Sequence, residues 1–208
     1  MTIRKGEEWG SVGPAAPGAP VARSDREAGR IATALLAPEA APDAEPPMIV
    51  VLGGDLHRSL GAPTDVLQRM EAGQCRLLPI DVVRVEWDGG REVAVAHVIA
   101  RRRRWQGSFV VAMNATHVGR LDLGPRAHPN DGLADLTVGR LDARDRLAAL
   151  RRARHGGHLP HPGLQTTRTA SWHGELDRST PLYVDGERVG RTRRLRFEVL
   201  PDALVVAV

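Results

Sequence analysis

Three short stretches of this chain carry residue types at spacings that chemistry could use. The first is Val51-Leu52-Gly53-Gly54-Asp55-Leu56. An apolar run ending in paired glycines ahead of a helical stretch is a recurrent phosphate cradle, because glycine lets backbone N–H groups approach an anion. The same residues also make an ordinary turn. The second stretch, His155-Gly156-Gly157-His158-Leu159-Pro160-His161, places histidines at a spacing of three, and imidazoles are the donors a transition metal takes. Its glycines and prolines predict a loop, in which the rings need not converge. The third, Arg101-Arg102-Arg103-Arg104-Trp105, suits phosphate or an anionic membrane surface, and equally a solvated strand end. Cys75 is the only cysteine, which excludes an intramolecular disulfide and cysteine-rich zinc sites.

The elements that must position these residues change character along the chain. Residues 11–47 are rich in Ala, Pro and Gly, in two runs, Gly13 to Pro20 and Pro38 to Pro47. Between them Ser24 to Leu36 predicts a helix with a Ser or Asp cap and an acidic first turn. Met48 to Leu52 is β-branched and apolar, as buried strands are. Leu56 to Leu60 and Asp65 to Ala72 then predict short helices, the second closed by Gly73. From Arg76 the texture becomes short strands: Leu77 to Glu86, Glu92 to Ala100, Phe109 to Met113, Leu133 to Val138, Thr166 to Trp172, Leu182 to Val184, Leu195 to Leu200 and Ala203 to Val208. Asp88-Gly89-Gly90, Asp185-Gly186 and Pro201-Asp202 read as the turns between some of them. One helix, Ala143 to Ala153, interrupts the series. Many short strands with one helix argue for a sandwich.

Composition sets the outer limits. The 208 residues suffice for one large domain, or a medium one with a small partner. A hydrophobic fraction of 42% supports a core, and with only 3% aromatics that core must be aliphatic. No run approaches the roughly 18 apolar residues of a membrane span, and the polar stretch Met1 to Gly10 has no signal-peptide core. The expectation is a cytoplasmic protein. The net charge is +4 and Lys5 is the sole lysine, so the base is arginine. Arginine suits bidentate phosphate contacts, and a basic surface favours anionic lipid or nucleic acid. No recognisable nucleic-acid-reading module accompanies it, so no specific nucleic-acid partner is expected.

Several motifs together carry a family resemblance. Gly54-Asp55-Leu56-His57-Arg58-Ser59-Leu60-Gly61-Ala62-Pro63 resembles the Gly-Asn-Asp-hydrophobic-Ala-Arg-Ser-Leu-Gly-x-Pro stretch of diacylglycerol kinases and related, sphingosine-kinase-like bacterial lipid kinases. Pro79-Ile80-Asp81 and Val110 to Asn114 fall where that family has an Ile-Asp strand and a strand ending in Asn. Pro125-Arg126-Ala127-His128-Pro129-Asn130-Asp131-Gly132-Leu133-Ala134-Asp135 is similar to the family's Pro-x-Ala-x-Pro-x-Asp-Gly-Leu-hydrophobic-Asp, the most specific motif in the chain. Pro181 to Glu187 resembles its Asp-Gly-Glu hairpin.

The resemblance implies a fold and a chemistry. The fold is α+β and mainly β: an abbreviated α/β nucleotide-binding-like domain (1–75) ahead of an antiparallel β-sandwich C-terminal domain (76–208). The implied activity is transfer of the ATP γ-phosphoryl group to a lipid hydroxyl, with Mg²⁺. Asp131 and the main-chain carbonyls near His128 and Leu133 would hold the metal, an oxygen set that suits a hard cation. Glu187 would be the general base, and Gly53, Gly54 and Asp55 would line the nucleotide cleft. The implied partner is a lipid or a membrane surface, peripherally at the inner face, and pairing of sandwich edges would allow a homodimer. Two departures matter. The family's Gly-Gly-Asp-Gly-Thr signature has no clear counterpart, and Glu86 to Ser108 replaces a long insertion. These losses favour, as the alternative, a non-catalytic relative that binds lipid, nucleotide or protein.

Overall fold

The computed structural model describes residues 9–36 and 45–208; Met1–Glu8, and the second proline-rich run as far as residue 44, lie outside the described residues. Two short strands, β1 (Ser11–Gly13) and β2 (Val21–Ala22), lead into helix α1 (Asp25–Leu35). Strand β3 (Met48–Val51) leads into α2 (Asp55–Ser59) and α3 (Val66–Ala72). The rest is β4 (Cys75–Trp87), β5 (Gly90–Ala94), β6 (His97–Ala100), β7 (Ser108–Met113), β8 (His117–Val118), β9 (Leu121–Asp122), β10 (Ala134–Arg140), α4 (Ala143–Arg152), β11 (Leu164–Thr169), β12 (Ser171–Val184) and β13 (Glu187–Ala207).

The principal sheet runs β1-β4-β13-β12-β6-β7-β10-β11, with β5 on β4 and the pair β3–β2 on β13. Strand β12 pairs with β13 along most of its length, but with β6 only over Leu182–Val184. The sheet therefore turns over at β12 into two layers. Val83, Val85, Phe197 and Val199 from one layer meet Val98, Val110, Ala112 and Leu136 from the other in a dry aliphatic core. This is the antiparallel β-sandwich that the turn-punctuated strands predict. The parallel ladders β2–β3 and β3–β13 join the N-terminal elements to the same sheet, which runs on across residue 75. Ala28 and Ala32 of α1, Leu56 of α2 and Val66 of α3 pack there on Leu78, Ile80, Leu204 and Val206.

Most helix ends obey local chemistry. The Ser24 hydroxyl accepts the Glu27 N–H at 3.2 Å and caps α1, and Gly73 closes α3 in the left-handed region at φ 65°. Three strand expectations change. Glu92 to Ala100 divides at Val95–Ala96, where the backbone N–H groups turn to a side chain instead of a neighbouring strand. Thr166 to Trp172 divides between β11 and β12. Leu195 to Leu200 and Ala203 to Val208 fuse into β13, and Pro201-Asp202 is a bulge rather than a turn. No helix among the described residues is long and apolar enough to cross a membrane.

Candidate functional site

The same local design occurs twice at one end of the molecule. A short strand, β2 or β3, ends in a turn, and a helix follows whose first residue is an aspartate: Asp25 in α1, Asp55 in α2. Because β2 and β3 are parallel neighbours, both helices begin at the same edge. Sequence reading took Asp25 for part of a helix cap. The available signal was the repetition itself: a short apolar run, a two- or three-residue turn, then Asp opening a helix.

The Asp25 carboxylate reaches across this edge. It accepts the N–H of Asp55 at 2.6 Å and of Leu56 at 2.9 Å, so it occupies the donors at the start of α2. Gly54, the residue ahead of α2, sits at φ 103°, and a Cβ on it would collide with that carboxylate. Asp55 in turn accepts the Gly119 N–H at 2.9 Å and faces His97 Nε2 at 3.5 Å. His97 is 1% exposed. Behind it lies Asp185, which accepts the N–H groups of Val95, Ala96 and His97 at 3.0, 2.9 and 3.1 Å. These bonds break the strand between β5 and β6. Helix α1 rests against Asp185 at Gly29, where a side chain would meet the carboxylate.

Electrostatics at this junction follow from burial against few cations. Burial pushes the Asp185 carboxyl up to about 6, against the pull of His97 and the three N–H donors. Burial also raises Asp25. Burial disfavours ionised Asp55 too, but His97, the Gly119 N–H and Arg58 together hold it below the usual carboxylate range. Burial opposes a charged His97, and the neighbouring aspartates outweigh it, so its pKa is raised.

Of the residues the sequence singled out, only part meets here. Gly53, Gly54 and Asp55 form the β3–α2 turn at this junction. Glu187 lies just beyond the Asp185-Gly186 turn, half-exposed, and is bound by two arginines of α1: Arg26 Nε at 2.7 Å and Arg30 Nη2 at 2.9 Å. Asp131, His128 and Leu133 lie on the loop before β10. There Asp131 accepts the Leu133 N–H at 3.0 Å and pairs with the Arg168 guanidinium, which also reaches Asp135 at 3.2 Å. His128 Nδ1 accepts the Asn130 N–H, and its ring packs on Trp9. One oxygen of Asp131 thus serves a backbone N–H and the other the charge of Arg168. Beside it Asp81 accepts the N–H groups of Gly132 and Asp202, and burial, with the Asp131 charge adding, raises its carboxyl to about 6.

The remaining motifs resolve simply. His155, His158 and His161 do not form a ligand cluster among the described residues: His158 is buried, and His161 faces Asp145 at 3.5 Å. Arg101 lies 5.0 Å over the rings of both Trp105 and Tyr183, while Arg103 and Arg104 are exposed. Cys75 is buried.

Sequence reading did not find a second feature, on the opposite face of β7 and β10. Trp105, Phe109, Val111, Leu123, Leu141, Leu150 and Leu164 line an apolar slot of about 40 Å³ beneath α4. None of the residues of α4 is fully buried, and Leu147 is 53% exposed. The cover is therefore lightly held. Arg146 lines the slot, and Arg144, Arg151 and Arg152 stand exposed on the same helix.

Comparison with known proteins places this architecture. Residues 76–208 match the family described as the YegS C-terminal NAD kinase beta sandwich-like domain. Among solved structures, a diacylglycerol kinase from Bacillus anthracis str. Sterne superposes with a TM-score of 0.55 at 15% identity, covering 77% of this chain and 66% of that one. A second structure from the same strain, with a provisional diacylglycerol kinase assignment, gives 0.56 at 14% identity over 77% and 69%. The chain thus spans about two thirds of the length of these structures, and at such identities the likeness is one of fold. No curated protein matches by sequence.

Proposed function

The chain belongs to the family of YegS C-terminal, NAD kinase-like β-sandwich domains, and from that premise we propose that it is a lipid-binding relative of the lipid kinases that no longer transfers phosphate. One observation carries this reading. The N–H groups of Asp55 and Leu56, the donors that a strand–Gly-Gly–helix cradle would offer a phosphate, are already taken by the Asp25 carboxylate. An incoming polyphosphate would have to displace a negative charge and then sit among the aspartates 25, 55 and 185. Phosphoryl transfer needs the opposite field, one that gathers and neutralises phosphate.

The ligand reading rests on the slot under α4. Its walls are aliphatic and aromatic, its cover is lightly held, and arginines rim it. At about 40 Å³ the slot is a seam rather than a ready pocket. An acyl chain would therefore enter only by lifting α4, and would leave an anionic headgroup among Arg144, Arg146, Arg151 and Arg152, where each arginine near the surface adds roughly 1 kcal/mol of attraction. Trp105 lines the slot, so its fluorescence should report the event. Vesicles of phosphatidylglycerol are expected to bind and to change tryptophan emission in the wild type but not in Trp105→Phe, phosphatidylcholine vesicles much less, and Leu150→Asp should weaken binding at least about tenfold.

A second reading, an active kinase for a lipid hydroxyl using ATP and Mg²⁺, draws on Asp185. Its carboxyl near 6 is tuned toward the range of a general base, and it stands two residues from Glu187. Transfer of labelled phosphate from ATP to bacterial lipids decides between the two. No label is the expected outcome. Label that disappears in Glu187→Gln or Asp185→Asn would replace the first reading with the second.

A further inference from the structure

Charge accounting at the α1–α2 junction leaves a deficit. Asp25, Asp55 and Asp185 are 6%, 14% and 5% exposed, the middle value for the side chain alone. The positive charge near them is His97, when protonated, and Arg58, which is 3.7 Å from Asp55 and half in solvent. Most of the other partners of these carboxylates are neutral backbone N–H groups. Such donors orient an oxygen and leave it a lone pair; they do not cancel its charge. Buried carboxylates in excess call for a cation.

The geometry supplies a place for one. One oxygen each from Asp25 and Asp55 and one ring nitrogen of His97 lie within 4.8 Å of one another. Ligand atoms bound at about 2.0–2.2 Å stand roughly 3.0–3.5 Å apart in cis or tetrahedral positions and at most about 4.4 Å apart when opposite. The three side chains therefore close on an ion by movements of up to about an ångström. A separate observation concerns His97 itself. The ring is 1% exposed, and Nε2, the nitrogen turned toward Asp55, meets that carboxylate only at 3.5 Å, long for a hydrogen bond. A buried imidazole left this poorly satisfied is costly unless something else engages it. The backbone bonds at Asp25 and Asp55 are those that orient first ligands in metal sites.

We propose that Asp25, Asp55 and His97 form a divalent transition-metal site that fastens α1 and α2 to the sandwich. One imidazole with two carboxylates selects Mn²⁺ or Zn²⁺ over Mg²⁺, which prefers an all-oxygen shell. The three ligands come from the start of α1, the start of α2 and the start of β6. One ion therefore ties both N-terminal helices to the sheet. The site is separate from the Asp131 loop, where Arg168 already supplies the positive charge.

The test uses the full chain, stripped with a chelator and titrated with Mn²⁺ and with Zn²⁺ by calorimetry. One equivalent of either ion is expected to bind, with the thermal midpoint rising by roughly 5–10 °C at a hundredfold excess over Kd. His97→Gln and Asp55→Asn, each checked for folding by circular dichroism, should weaken binding at least about tenfold, and Asp131→Asn should bind as the wild type does. No stoichiometric binding of either ion by the wild-type chain would overturn the proposal. So would binding that survives both substitutions and is lost when His155 and His158 are replaced by alanine. Neither result bears on the lipid slot, which lies on another face.

Discussion

Two acidic constellations, one at the Asp131 loop and one at the α1–α2 junction, differ in what answers their charge. At the loop, Asp131 and Asp135 share the guanidinium of Arg168, and Asp81 next to them is bonded by two N–H groups. At the junction, three aspartates share one histidine and a half-exposed arginine. Both sites are well supplied with hydrogen bonds. They differ in the kind of cation: full guanidinium charges, Arg168 with Arg126 near Asp135, at the loop, and mainly an imidazole at the junction. Hydrogen bonding and charge balance are thus separate conditions, and a site that meets the first alone remains open to a cation or to protons.

The sharpest way to break this contrast is Asp185→Ala. Its carboxylate is the partner of three consecutive backbone N–H groups, Val95 to His97, and alanine leaves them buried with nothing to bind. At about 1–3 kcal/mol for each orphaned donor, a loss of roughly 3–6 kcal/mol is expected in urea unfolding, a large share of a typical domain's stability. A loss under about 1 kcal/mol would mean that water reaches these groups once the carboxylate is gone.

How far the sequence could show this depends on the range of each interaction. Strands, turns and caps are set by neighbours in the chain, so β4, β7, β10, α1 and α4 were legible from pattern and capping residues. The loop motif and the Asp-Gly-Glu hairpin were legible as motifs. What was not legible is who meets whom: Arg26 and Glu187 lie 161 positions apart, and Asp25 and Leu56 lie 31 apart. Arg168 carried no mark in the sequence, although it decides the state of Asp131. Nor did His97, in a run that reads only as a buried strand. The missing glycine signature is the instructive case. Arg23-Ser24-Asp25 opens α1 with no glycine pair, and only the fold shows that Asp25 turns inward to fill the donors at the start of α2.

Acid titration sharpens the comparison next. Asp81 and Asp185 are both raised to about 6 from 3.8. A carboxyl raised on folding takes up a proton that the unfolded chain does not hold. Its contribution is therefore fully present below about pH 4 and is lost as the pH rises through about 6. The stability of the wild type relative to Asp81→Asn should fall between pH 4 and 7 by on the order of 2–3 kcal/mol. Asp185→Asn should show the same slope in metal-free buffer. With saturating Mn²⁺ the Asp185 slope should flatten, while that of Asp81 should not change. Identical slopes under both conditions would show that the two sites are electrostatically alike.

The smallest effect tests the loop directly. Arg168 is one-third exposed and its partners mostly buried, so the pair lies between a surface bridge and a buried one. Arg168→Ala should lower stability by about 1 kcal/mol in dilute buffer, because Asp131 loses its guanidinium partner and Asp135 keeps only the nearby Arg126. If the guanidinium competes with Mg²⁺ for Asp131, the variant should bind Mg²⁺ more tightly than the wild type, and millimolar Mg²⁺ should restore most of the lost stability. The loop would then resemble the junction: acidic, hydrogen-bonded and open to an ion. If Mg²⁺ does nothing for Arg168→Ala, a bare charge deficit is not sufficient to make a metal site. The case for the junction would then rest on what the loop lacks, a buried imidazole whose Nε2 faces the carboxylates.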